Sequence, residues 1–161
     1  MTVPNQIDAA ILAVLRNGIG RLGIRVFRPA TTFPAAIAYD LFTIAGGNIL
    51  VTSLVGEVTV NCGIGANATL FQSEPDVGLA VGLDDGTADL NTALVGILIA
   101  PTGDVAVASA LANAVPLMNV PVVCKPGTIS MTMAAATLGA GALEFTLHYI
   151  PLEPGVTVVI A

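Results

Sequence analysis

The sequence predicts an all-β fold, a jelly-roll-like β-sandwich preceded by an extended N-terminal arm that carries a short helix. Beyond Ala35 the chain is rich in Val, Ile, Leu and Thr and is interrupted every few residues by Gly, Pro, Asn or Asp, the texture of short strands joined by turns. Near its end Leu143, Phe145, Leu147 and Tyr149 alternate with Glu144, Thr146 and His148, the period of a strand with one buried and one wet face. The first 28 residues hold Arg16, Arg21, Arg25 and Arg28 against the single acid Asp8, a net +3. The remainder holds ten acids against Lys125, a net −9, which divides the chain into a basic arm over 1–35 and a β body over 36–161.

In the arm, Asn5 is placed to cap a helix running to Leu15, with Ile7, Ile11, Val14 and Leu15 gathered on one face and Gly18 and Gly20 ending it. Gly20 to Pro34 sustains no period and reads as extended chain with little core of its own. Strands are expected at Ile37–Ile44, Asn48–Val55, Glu57–Cys62, Ala68–Ser73, Gly78–Leu83, Leu94–Ile99, Asp104–Ser109, Val120–Cys124, Thr128–Met133 and Ala142–Pro151. Turns are expected at Gly46 to Asn48, Gly63 to Asn67, Asp84 to Gly86, Pro101 to Gly103 and Pro126-Gly127, each with a residue suited to a preset or positive φ. Val105 to Leu117 also fits a short helix. Eight or more short strands so spaced suggest a sandwich of the jelly-roll type.

Charged residues are 10% of the chain against about 25% in a typical soluble domain, and the mean hydropathy is +0.87. A bilayer would require an unbroken apolar stretch of about 20 residues. The longest candidate, Val105 to Cys124, is broken by Pro116 and Pro121, so no membrane partner is expected. Met1 to Asp8 lacks the basic start of a secretory signal, which points to synthesis in the cytoplasm. Contact between subunits remains as the way to cover the apolar surface, because obligate interfaces resemble a domain core cut in half.

Catalytic chemistry finds few residues to use. His148 is the only histidine and falls on the polar side of its strand, so no catalytic residue is assigned. Asp84, Asp85 and Asp89 around Gly86 match no calcium-loop spacing, and Cys62 and Cys124 lie in no metal or redox pair, so no metal and no cofactor is expected and both thiols read as free and buried. Gly18 to Gly23 fits a phosphate loop poorly. The net −9 of the body opposes nucleic acid, and the absence of tryptophan argues against sugar or single-strand stacking platforms. The four arginines suit an acidic protein neighbour, reached by an arm that orders on docking.

The segment Asp40 to Thr59 (DLFTIAGGNILVTSLVGEVT) is similar to an opening found in small virion proteins of tailed bacteriophages. Leu143 to Thr157 (LEFTLHYIPLEPGVT) resembles the last strand and Pro-Leu-x-x-Gly tail of the same group. The resemblance covers the β body by its two ends and leaves out the arm. It implies a capsid decoration or cement protein with a jelly-roll-like body that forms a homotrimer on the head surface, with the major capsid protein as partner. On this expectation Arg16, Arg21, Arg25 and Arg28 dock the arm, and deletion of residues 1–34 leaves a folded trimer that no longer decorates heads. Rival readings are a tail, neck or baseplate subunit and a carbohydrate-binding module.

Overall fold

The computed structural model describes residues 23–32, 38–63, 68–91, 93–114, 118–133 and 141–161. They form β1 (Ile24–Thr32), β2 (Ala38–Ala45), β3 (Ile49–Val60), β4 (Ala68–Pro75), β5 (Val81–Gly82), β6 (Ala88–Asp89), β7 (Leu98–Ala100), β8 (Ala110–Ala112), β9 (Val122–Cys124), β10 (Gly127–Met133), β11 (Ala142–Pro151) and β12 (Thr157–Ile160). Two antiparallel sheets result. The first runs β1-β11-β3-β7-β8 with β9 also on β3; the second runs β12-β2-β10-β4-β5 with β6 also on β4. Among the described residues no helix is long and apolar enough to cross a membrane.

One core is shared by the two sheets. Alternation on β11 sends Leu143, Phe145, Leu147 and Tyr149 inward beside Leu54 of β3, while β2, β4 and β10 contribute Phe42, Phe71, Ile129 and Met131. Phe71 and Phe145 meet edge to face at 6.2 Å between centroids, an arrangement worth about 1 kcal/mol beyond the area it buries.

The arm and the body do not part at residue 35 in the way the charge pattern suggests, because β1 belongs to the first sheet. It pairs antiparallel with β11, Val26 beside Leu147 and Arg28 beside Phe145. The alternation of Ile24, Val26 and Arg28 was hidden because one inward position is an arginine. Pro29 is tolerated because β1 is an edge strand, and the register shifts between Arg28 and Thr31. The helix expected over 5–15 lies outside the described residues.

The two strands expected at Asn48–Val55 and Glu57–Cys62 are one continuous strand, β3. Gly56, read as a break, is a packing residue: a Cβ there would lie 2.6 Å from a ring carbon of Phe145. The strand expected at Gly78–Leu83 shrinks to β5, Leu94–Ile99 becomes the shorter β7, and Asp104–Ser109 is a turn before β8. Residues 105–114 hold turns and β8 and no helix. The Pro101 to Gly103 turn forms, with Gly103 at φ +79° and so close to the Val120 carbonyl that a Cβ would lie 1.8 Å from its oxygen.

Candidate interaction surface

Arg16 and Arg21 lie outside the described residues, and the other two arginines are put to different uses. Arg28 points between the sheets, where its Nη1 donates to the backbone carbonyls of Asp40 at 2.9 Å, Leu41 at 2.9 Å and Ala161 at 3.0 Å. Burial lowers its pKa and the nearby Asp40 charge partly opposes that. Arg28 therefore binds its own chain, tying β1 of one sheet to β2 and β12 of the other. Arg25 is exposed on the outer face of the first sheet, its guanidinium 5.3 Å from the centroid of Phe27.

That outer face is built by alternation. Glu144, Thr146, His148 and Ile150 project from β11 opposite its core-facing residues, and the register carries the face across the sheet. Thr146 lies between Phe27 and Val55, His148 between Arg25 and Ser53, Glu57 beside Glu144, and Leu50 between Ile150 and Val123. One contact is between like charges, Glu144 directly opposite Glu57, and Arg25 lies directly opposite His148. Burial and then the Arg25 charge lower the pKa of His148, and its Nδ1 is buried without a hydrogen-bond partner among the described residues. The outer face of the second sheet carries Thr128, Ser130, Gln72 and Glu74 together with Leu70 and the exposed Val159; Glu74 accepts from both Gln72 and Ser130 at 2.5 Å.

A second apolar cluster was missed because Gly78 to Leu83 reads as a half-buried strand. Instead Val77 and Leu79 are 81% and 87% exposed on the loop between β4 and β5. Leu79, with Pro75, Val81, Val123 and Lys125, rims a shallow depression of about 150 Å³. Gly78, at φ +130°, was the available sign that the strand period fails there.

The aspartates around Gly86 hold the loop together. Asp84 is buried and its carboxylate accepts from the Ser109 hydroxyl, from the Gly86 amide at 3.1 Å and from the Phe71 amide at 3.3 Å. Burial pushes its pKa up against the pull of those three donors. Asp85 accepts from the amide and hydroxyl of Thr87, and Asp89 from the amide of Asn91. Cys62 and Cys124 are free and buried, and burial raises both thiol pKa values. Comparison with known protein families, with curated proteins and with solved structures returns no match.

Proposed function

We propose that the chain is a virion structural protein of a tailed bacteriophage, a capsid decoration or cement subunit that trimerises and docks on the major capsid protein to stabilise the head. In this reading the body is a jelly-roll sandwich. The strand order supports it: β1-β11-β3-β7 in one sheet and β2-β10-β4-β5 in the other is the order of a chain folded as two Greek keys. Jelly rolls recur in viral capsid and lectin domains, and since fold alone does not fix function the surface must carry the role.

The carrying observation is the clustered exposure of large aliphatic side chains, Leu79, Val81 and Val123 at one site, on a chain with only 10% charged residues. Patches of this kind mark contacts with other proteins. Arg28 is committed to its own fold and Arg25 lies on the outer face of the first sheet, so docking through the basic segment falls to Arg16 and Arg21. Binding only the assembled shell, the subunit stabilises it by mass action. Synthesis in the host cytoplasm and a final place on the capsid surface belong to the same reading.

A carbohydrate-binding module is the second reading for a jelly roll. Phe42, Phe71 and Phe145 are fully buried and Tyr149 nearly so, leaving Phe27 exposed and Tyr39 partly exposed among the described residues, a narrow platform for sugar stacking. The test is co-sedimentation of the purified chain with heads prepared without it. Saturable binding and greater resistance of the heads to heat are expected; heads left bare would overturn the decoration role.

A further inference from the structure

We propose that the outer face of the first sheet is a self-complementary contact through which two copies of this chain pair about a two-fold axis, Arg25 of each meeting Glu57 and Glu144 of the other. The inference needs no capsid and stands apart from the decoration reading.

The charges on this face are sorted in a way that a single copy leaves unresolved. Glu57 and Glu144 are directly opposite each other across β3 and β11, and like charges so placed are destabilising. Arg25 and His148 are directly opposite across β1 and β11. The two pairs are separated by about 13 Å along β11, at a strand rise of about 3.3 Å per residue, too far for the guanidinium of Arg25 to reach its own carboxylates. Among the described residues neither glutamate has an ion-pair partner, and Arg25 is engaged only by the ring of Phe27. Reversing the strand direction of a second, facing copy exchanges the ends, so Arg25 of each meets the anionic pair of the other. A two-fold axis does this twice in one contact, which is the property of an isologous interface.

The ground between the charged pairs suits burial. Phe27 and Val123 are 39% and 57% exposed, and Leu50, Val55, Leu98 and Ile150 are half-buried on the same face. Three long strands, β1, β11 and β3, with the three-residue β7 and β9 beside β3, spaced about 4.8 Å apart present on the order of 500 Å², below the about 800 Å² per partner of a standard interface. The second sheet has no such arrangement, since Glu74 there already accepts two hydrogen bonds within the chain.

The test is the solution mass of the full chain by light scattering, compared with Arg25→Glu, with Glu57→Arg/Glu144→Arg, and with all three substitutions together. Wild type should contain an even number of subunits, two alone or six if three-fold association is also present. Each charge reversal alone should halve the mass with an unchanged circular dichroism spectrum, and the combined variant should restore it. An odd copy number for wild type, or single reversals that leave the mass unchanged, would overturn the proposal; three copies would do so while leaving the decoration reading intact. If a reversal variant fails to fold, the wild-type copy number still decides.

Discussion

The Nη1 of Arg28 donates to the backbone carbonyl of Leu41 at 2.9 Å, so an edge strand of one sheet is held to a strand of the other by a charged side chain between them. The same nitrogen reaches the carbonyls of Asp40 and Ala161. An arginine that the charge pattern assigns to a docking arm is therefore a structural tie, and this changes what deletion of the basic segment means.

Replacing Arg28 with Ala should lower the unfolding free energy by about 2 kcal/mol, the scale of hydrogen bonds from a charged donor. Lys125→Ala, at an exposed cation, should stay within about 0.5 kcal/mol. Urea midpoints of the two variants, measured side by side with constant slope, check the contrast.

Deleting residues 1–34 removes β1 and uncovers the edge of β11, so that variant should be markedly less stable than the full chain. Deleting residues 1–22 spares β1 and Arg28 and should retain cooperative unfolding. Thermal melts followed by circular dichroism separate the two.

Gly56→Ala should destabilise by about 1–3 kcal/mol, because the added methyl enters space held by the ring of Phe145 and the core must shift to admit it. A near-neutral result in chemical unfolding would show that the ring has room to move.

Asp84 sets a pH dependence of unusual sign. Its folded pKa lies above the ordinary aspartate value, so the folded state holds the proton more tightly than the unfolded state, and the contribution of this group to stability falls as pH rises from the ordinary value through the raised one. Asp84→Asn removes the titration. The stability of wild type relative to that variant should therefore decline as pH rises above the ordinary aspartate range. Asp84→Ala, which leaves the Ser109 hydroxyl and two amides unpaired, should cost about 2–4 kcal/mol, most at the acidic end of that range.

Cys62 and Cys124 should resist a thiol reagent at neutral pH in the native state, since both are buried and burial holds their pKa values up. Both should react at once in denaturant. Fast labelling of either under native conditions would place that thiol in an open environment.

The all-β class, the alternation of β11 and the bounds Ala142–Pro151 were legible because one face of that strand is apolar and the other polar without exception from Leu143 to Tyr149. β1 was not legible because Arg28 occupies an inward position and Pro29 follows it, a combination that only the interior carbonyls of Asp40 and Leu41 make acceptable. β3 was split because a glycine selected by the neighbouring Phe145 ring has the same letter as a glycine selected by a turn. The opposition of Glu57 to Glu144 is a product of register, and pairing between residues so far apart in sequence leaves no local mark. The exposed loop of Val77 and Leu79 was misread because an apolar alternation normally means burial.

The central claim, that the apolar surface of this chain is covered by protein partners of which the first is itself, is tested most directly by the mass of the purified full chain in solution across a dilution series. The account predicts an assembly of several 16.2 kDa subunits, in a multiple of three if the decoration reading holds. A single 16.2 kDa species at every concentration would contradict it.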